Sequence, residues 1–527
     1  MFVCSMLKIW LLALLLTPSE SAQILGLFGH PGKSHFDFFR PMFLALAQNG
    51  HNISMYSYFP NKMPVTNYTD YVFDGMPVLT DIVDLKPLES EPQWFGLPFK
   101  VSTFFMLHDW GLRSCEVALH SPLIAQLLSS GMRYDVIILE HFANDCMQAV
   151  AHLLRAPVIA LSSCAIMPWH YKRMGTPFLE AVTPMNFLPY TDEMGFVERV
   201  NNFLHFHIVA LLHNLISQPA TDALIAKRFG AGLPPINEIV TNTSLMLINQ
   251  HYALTGARPY APNVVEVGGL QITPQKPLPE NLDGLLKQSK QGVIYISWGS
   301  MVNPATLPAT KRQQLFECIR HFGAYSFVMR WSNDSMPSDK PSNLHFYDWL
   351  PQRDLLCHPQ VKAFMTHGGL LGSSEAVHCG VPMLVTPFYG DQFLNAGAIV
   401  QRRFGVTVNF ANFDSRNLIQ ALHTILSAEF AAHVKHSTAA FRQRPQPPLE
   451  LALWWIEHVI DSGGAPLAQS VARHINWLIY NSLDVYLFLL CVIFLILWAL
   501  RLLIKLVQSL ATRRVSTTEA DTKAKKQ

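Results

Sequence analysis

Short apolar runs alternate with stretches of helical spacing along most of this chain. QILGLFGH (Gln23–His30) is an apolar run stopped by Pro31-Gly32 and predicts a buried strand. A helix is expected over Phe36–Gln48, with Asn49-Gly50 as its stop signal. HNISMYSYF alternates like a second strand. YDVIILE (Tyr134–Glu140) and APVIALSS (Ala156–Ser163) then flank DCMQAVAHLL, whose apolar spacing is helical. Strand, helix and strand at this rhythm predict right-handed βαβ units and a parallel sheet. The texture changes over 259–290, where five prolines between Pro259 and Pro279 read as a linker. The alternation then restarts with GVIYISWGS, a helix near Lys311–Phe322, YSFVMRW, LHFYDWL, VKAFMTHGG, a further helix and VPMLVTPF. The expected fold class is α/β: an N-terminal lobe over 23–258 and a C-terminal lobe over 291–450, both Rossmann-like, with parallel sheets facing a cleft. Ligands in such folds sit at the carboxyl ends of the strands.

The two ends of the chain carry a different pattern. Residues 1–22 read as a secretory signal: Lys8, then IWLLALLL, then Ser19, Ser21 and Ala22. After an expected return and juxtamembrane segment over 451–483, VYLFLLCVIFLILWAL (Val485–Leu500) carries no charge, and 484–504 is long enough for one transmembrane helix. The tail 505–527 is basic, so the positive-inside rule places it in the cytosol and the body outside the cytosol. A formal net charge of +2 with no basic block outside the tail argues against nucleic acid as a partner. Of eight cysteines, none forms a CxxC, so no zinc site is expected, and the pairing of the rest is not legible. Sequons at Asn52, Asn67, Asn242 and Asn333 suit a secretory route. Oligomeric state leaves no trace, and a homo-oligomer stays open.

The stretch THGGLLGSSEA (Thr366–Ala376) places a histidine and two glycines between a strand and a helix. Free amides at a helix N-terminus make an anion site. His367 beside them can donate to a phosphate oxygen, and Glu375 on the helix can accept from vicinal hydroxyls. A metal site would need further ligands, and no D-x-D or H-x-x-x-H stands nearby. A bare strand-to-helix turn is the alternative. The longer run WLPQRDLLCHPQVKAFMTHGGLLGSSEAVHCGVPMLVTPFYGDQ, 44 residues from Trp349 to Gln392, resembles the donor-binding signature of the UDP-glycosyltransferases. GHPGKSHFDFF, WIEHVI, the signal and the anchor extend the resemblance over nearly the whole chain, above all to invertebrate membrane-bound members.

That resemblance implies a two-lobed GT-B fold, a UDP-sugar donor in the C-terminal lobe and a small lipophilic acceptor in the N-terminal one. It implies no cofactor, since UDP-sugar is a co-substrate, and no metal. Carried onto matching positions, Trp349 would stack on uracil and Gln352 would meet the ribose or base edge. Thr366, His367 and Gly372, with the Gly368 and Gly369 amides, would hold the diphosphate, and Glu375 the ribose hydroxyls. Asp391 and Gln392 would grip the sugar, Ser300 would add a diphosphate contact and Arg330 a further polar one. Leu371 departs from the asparagine common in vertebrate members, so no polar contact is expected there.

An acceptor hydroxyl needs a general base, and histidine suits neutral pH. GHPGKSH offers His30 and His35, and the resemblance selects His35. A carboxylate would hold its tautomer. Glu140 fits a simple alignment, while the invertebrate pattern favours Asp145, which is the expected partner. Direct displacement would invert the anomeric centre. KAKKQ resembles a dilysine retrieval signal, which implies the endoplasmic reticulum membrane. Glucose is the sugar that the invertebrate likeness favours. The rival reading is a non-catalytic relative that binds UDP-sugar or lipophilic ligands. It would be marked by loss of the base or of the donor glutamate, yet His35 and Glu375 are both present.

Overall fold

The computed structural model describes residues 21–89, 93–94, 97–98, 101–331 and 336–524. The signal at 1–20, the sequon at Asn333 and the terminal lysines Lys525 and Lys526 lie outside them. Two compact units are present, Met1–Ser470 and Val471–Gln527.

The first unit contains two parallel sheets. The N-terminal one has seven strands: β1 (Gln23–Leu27), β2 (Asn52–Ser57), β3 (Tyr68–Val72), β4 (Val136–Glu140), β5 (Val158–Ser162), β6 (Leu245–Ile248) and β7 (Val264–Glu266), in spatial order β3-β2-β1-β4-β5-β6-β7. The C-terminal sheet has six: β8 (Val293–Ser297), β9 (Ser326–Arg330), β10 (Leu344–Tyr347), β11 (Val361–Thr366), β12 (Met383–Val385) and β13 (Gly405–Thr407), in order β10-β9-β8-β11-β12-β13. Strands β5, β6 and β8 are buried along their whole length and β1 and β4 at all but one position, as a sheet covered on both faces by helices requires.

The helices that frame the cleft, return the chain and form the candidate span are α1 (Lys33–Gln48), α2 (Val101–His120), α3 (Met147–Leu154), α4 (Pro168–Met174), α5 (Phe196–Leu212), α6 (Gln352–Leu356), α7 (Leu370–Cys379), α8 (Gln392–Gln401), α9 (Pro448–Asp461) and α10 (Leu483–Ala524). In α1, Phe36, Phe39, Phe43 and Leu46 are buried at helical spacing, and the chain leaves the helix through Gly50 at φ +95°. Helix α7 stops at Gly380 in the left-handed region, φ +72°.

Three segments tie the two lobes together. The proline-rich segment is not all linker: β7 completes the N-terminal sheet, and Leu282 and Leu286 of helix 280–288 are buried in the C-terminal core. Helix α9 returns to the N-terminal lobe, where Ala452, Ile456 and Val459 join the core around α1. An N-terminal segment near 79–88 crosses the other way. Asp81 and Val83 donate their N–H groups to the carbonyls of Ser300 (2.9 Å) and Met301 (2.8 Å). Leu85 is fully buried in the C-terminal core, a burial worth roughly 1.5–3 kcal/mol. The lobes are thus joined by a strap as well as by the linker and the return helix.

The second unit holds α10, in which Leu483–Arg514 has the length and apolarity to cross a membrane, its most apolar 18 residues having a mean hydropathy of 2.9.

Candidate active site

A cavity of about 580 Å³ lies between the carboxyl ends of the two sheets. The strand-end loops of both lobes supply its wall, because that is where a parallel sheet exposes amides and polar side chains free of the ladder. From the N-terminal side come His35, at the start of α1, and Phe142, just beyond β4. From the C-terminal side come His367, Gly369, Gly372 and Glu375 on the turn and helix after β11, and Trp349 and Gln352 at α6.

His35 Nδ1 lies 2.7 Å from Glu140 Oε1 at the end of β4. Burial works against the imidazolium, but the charge and hydrogen bond of Glu140 outweigh it and raise the His35 pKa above 6.5, with a smaller push from Asp391 across the cleft. Burial likewise works against the Glu140 carboxylate, and His35 overcomes it, holding the acid below its usual range. With Nδ1 engaged, Nε2 is the nitrogen left for a substrate. His30 sits with its ring centroid 5.2 Å from that of His35, and burial drives its pKa down to about 4, so it is neutral.

Asp145 is not the partner of His35. Its carboxylate accepts both guanidinium ends of Arg173 from α4, at 2.7 and 2.9 Å, with His141 and His213 close by. Arg173 overcomes the burial penalty and holds Asp145 far below the normal carboxylate range. The physical reason is position. Glu140 ends the strand next to β1 and so emerges beside the first turn of α1 that carries His35, whereas the chain has turned inward by Asp145.

On the donor side, Gln352 Nε2 donates to Glu375 Oε2 (2.8 Å) and Tyr295 Oη donates to Gln352 Oε1 (3.2 Å). Burial pushes Glu375 up to about 7. Burial also lowers His367 to about 4, so its ring is neutral. A Cβ on Gly369 would stand 2.4 Å from His367 Nε2, so glycine is what lets the turn close over that ring. Trp349 is 68 % exposed and offers an open aromatic face. Asp391 caps α8 and accepts from Asn395 (3.1 Å), its pKa raised by burial. Ser300 also lines the cavity. Cys357–Cys379 is a disulfide linking the end of α6 to the end of α7, and Cys115–Cys146 joins α2 to the start of α3.

Other expected donor residues carry structural bonds, Gln392 and Arg330 while also lining the cavity. Thr366 is buried, and its Oγ1 accepts the Gly368 N–H at 3.3 Å. Gly368 takes φ +83°, and a Cβ there would meet Val385 at 2.8 Å. Both build the turn and do not line the cavity. Gln392 spends its Oε1 on the Phe388 and Tyr389 amides (2.9 and 3.2 Å). Arg330 lines the cavity but holds Asp81 of the strap through both terminal nitrogens, at 3.1 and 2.7 Å. The strap has no counterpart among the expected elements, since nothing in VLTDIVDL announces a crossing. The same holds for the apolar wall around His35, made of Leu107, Trp110, Phe142, Met167 and Phe187. The stretch HYKRMGTPF (His170–Phe178) packs behind that wall through Tyr171, Met174 and Phe178. Among the described residues no group of three or more His, Cys, Asp or Glu side chains is placed to hold a metal ion.

Residues 99–515 match the family model described as UDP-glucoronosyl and UDP-glucosyl transferase. The chain is 29 % identical to UDP-glucosyltransferase 2 of Dactylopius coccus over 483 residues, covering 91 % of this chain and 92 % of that one. It is 30 % identical over 400 residues to UDP-glucuronosyltransferase 1A3 of Rattus norvegicus, with 75 % and 72 % covered. Among solved structures, the glycotransferase of kitacinnamycin superposes with a TM-score of 0.54 at 16 % identity, over 84 % of this chain and 100 % of that one. The spinosyn forosaminyltransferase SpnP gives 0.53 at 17 %, over 84 % and 99 %. Fold and sequence agree: two facing parallel lobes in the GT-B arrangement, with the family's motifs on the cavity wall, make this chain a member of the UDP-glycosyltransferase family.

Proposed function

We propose that the protein transfers glucose from UDP-glucose to a hydroxyl of a small lipophilic acceptor, with inversion and with His35 as general base. The observation that carries this reading is the His35–Glu140 pair on the same cavity as the Gly369–Glu375 helix start. His35 Nε2 takes the proton of the acceptor hydroxyl as its oxygen attacks the anomeric carbon. Glu140 holds Nδ1–H and balances the imidazolium charge. The bond from the anomeric carbon to the β-phosphate oxygen breaks, and UDP leaves with the electron pair. The N–H groups at the start of α7 face that developing charge, and Glu375 with Gln352 is arranged to accept and donate at the ribose.

Charge supports a neutral sugar. Among the described residues, the lysine and arginine on the cavity wall are Lys33 and Arg330, and each is paired with a carboxylate, Asp37 and Asp81 respectively. A hexuronate would find neither free. The apolar wall around His35 suits an aromatic or aliphatic acceptor body. With an N-terminal signal and α10 as anchor, the body would face the lumen of the endoplasmic reticulum and the basic tail the cytosol. The test uses membranes bearing the full chain, mixed phenols and either UDP-glucose or UDP-glucuronic acid, with products identified by mass. The expected product is a β-glucoside, lost in His35→Ala. Glucuronides alone would overturn the donor assignment. Undiminished turnover in His35→Ala would overturn the base.

A further inference from the structure

Behind the His35–Glu140 pair lies a second cavity, of about 20 Å³, walled by His30, Glu140, Phe142, Asn144 and the Cys115–Cys146 disulfide. That is room for one water molecule. Its side chains bring two buried polar atoms without a hydrogen-bond partner, His30 Nδ1 and Glu140 Oε2. The amide of Asn144 is already engaged. Its Nδ2 donates to the Gly111 carbonyl at 2.8 Å and to Ser114 Oγ at 3.2 Å, and its Oδ1 accepts the Cys146 N–H at 3.3 Å. The Ser163 hydroxyl, just beyond β5, favours the Glu140 carboxylate but closes no hydrogen bond to it. The His30 ring is wedged in place. A Cβ on Gly32 would stand 2.8 Å from His30 Nε2, and the Phe142 centroid lies 5.8 Å from that of His30. Burial keeps this imidazole neutral, so it has one N–H to give.

A base that waits for its substrate is neutral. The Glu140 carboxylate then lies buried with a single N–H bond from His35 on Oε1 and no counter-charge beside it. An anionic oxygen buried without a donor is costly. We infer that one water held in the small cavity bridges His30 Nδ1 to Glu140 Oε2, which makes His30 a positioning residue of the catalytic pair. His30 Nδ1–H donates to the water, and the water donates to Oε2. The bridge favours the lone carboxylate more than a carboxylate already neutralised by imidazolium. It therefore holds down the pH at which His35 becomes a free base, and it keeps Oε1 turned toward Nδ1. The other titratable groups around Glu140 are uncharged: burial keeps His141, bonded to Gln148, neutral and the Cys164 thiol protonated. Asp391 acts on His35 from the opposite lobe. The part played by the bridge in turnover rests on the transfer reading, and the bridge itself does not.

The experiment follows the rate at which diethyl pyrocarbonate modifies His35 against pH, in membranes bearing the full chain, with the site located by peptide mass spectrometry. Only the neutral imidazole reacts, so the midpoint reports on His35 whether or not sugar is transferred. His30→Phe keeps an aromatic ring and removes Nδ1. Ala143→Val fills the small cavity with His30 in place. Both should move the midpoint to more alkaline pH by about half a pH unit or more, opposite to the direction expected of Glu140→Gln. His30→Asn, whose amide nitrogen can stand where Nδ1 stands, should bring the midpoint back. His30→Gln, which reaches toward the Nε2 position, should not. The rising limb of kcat/KM for glucoside formation should follow the midpoint through the series. An unmoved or acid-shifted midpoint in His30→Phe would overturn the proposal. So would an unmoved midpoint in Ala143→Val, or a His30→Asn variant that behaves like His30→Phe. Midpoints that shift as expected in a protein that transfers no sugar would leave the bridge standing and remove only the transfer reading.

Discussion

Replacing Glu140 by Gln separates the charge of the His35 partner from its shape. The shorter-range geometry is kept, because the amide oxygen of a glutamine at this position can still accept from His35 Nδ1 across the 2.7 Å contact with little change in packing. The carboxylate charge is lost. An opposite charge at this range moves a buried pKa by about 1–3 units, equivalent to about 1.4–4 kcal/mol of imidazolium stabilisation. On the proposed mechanism His35 becomes imidazolium in the transition state, so kcat should fall by about 10- to 1,000-fold. The pH profile gives the second signature. The base works when neutral, and Glu140 raises its pKa above 6.5, so kcat/KM climbs through a limb on the alkaline side of that value. In Glu140→Gln burial is opposed only by the smaller push of Asp391, and the limb moves to more acidic pH while the plateau drops. The assay is glucoside formation against pH in membranes of both proteins, at saturating and at low acceptor. An unchanged kcat together with an unmoved limb would refute the assignment. Asp145→Asn is the companion. It strands the buried Arg173 and should cost about 3–5 kcal/mol of stability, leaving the position of the limb alone. If Asp145→Asn moves the limb and Glu140→Gln does not, the two roles have been assigned in reverse.

Further tests address the donor side. Glu375→Gln should raise the donor KM by about 10-fold or more, since a bond to a charged acceptor is lost. In the wild type the donor KM should fall as pH rises through about 7, because Glu375 accepts best once ionised, and in the variant that dependence should flatten. The same raised acid means that the folded state holds a proton the unfolded chain has released between pH 4.5 and about 7, so stability is lost as pH rises through that window. Glu375→Gln should therefore melt higher than wild type at pH 8 by calorimetry, and an equal or lower melting point would contradict the buried-acid picture. Asp81→Asn frees Arg330, and the ratio of kcat/KM for UDP-glucuronic acid over UDP-glucose should rise by about tenfold; an unchanged ratio would mean that Arg330 does not face the sugar. A Cys357→Ser/Cys379→Ser variant, opening a link of sequence separation 22, should lose roughly 3 kcal/mol in a denaturant titration and bind donor more weakly, since α6 and α7 carry Gln352 and Glu375.

Much of this architecture is legible locally. Strands such as VIILE and VIYIS are continuous apolar runs because both faces of a parallel sheet are covered, and Gly50 and Gly380 mark helix ends by the left-handed backbone they adopt. His367 and Glu375 could be placed on the cavity because a strand, a glycine turn and a helix fix their direction. What could not be read were relations between distant segments. The choice between Glu140 and Asp145 depends on β4 lying next to β1, a pairing over more than 100 residues of sequence. Thr366 looks like a phosphate ligand in the motif, and only its buried hydroxyl on the Gly368 amide reveals a turn-builder. The proline-rich stretch read as linker because β7 is only three residues long, and its partner β6 was itself unmarked.

The lobes are built so that chemistry depends on their apposition. His35 and Glu140 belong to the N-terminal lobe, while Asp391, which helps raise the His35 pKa, caps a helix of the other. Arg330 sits in the donor lobe, yet its charge is set by Asp81 on a strap from the acceptor lobe. Parting the lobes would remove the Asp391 contribution from His35. The strap would stay behind through the buried Leu85 and its backbone bonds to residues 300–303. Donor selection by the Asp81–Arg330 pair should therefore survive opening, and so should the larger part of the tuning of His35, because Glu140 belongs to the same lobe. Loosening the strap with Leu85→Ala, at about 2–5 kcal/mol, should therefore relax the discrimination between UDP-glucose and UDP-glucuronic acid while leaving the pH limb of His35 in place, and a moved limb with an unchanged ratio would contradict this division of roles.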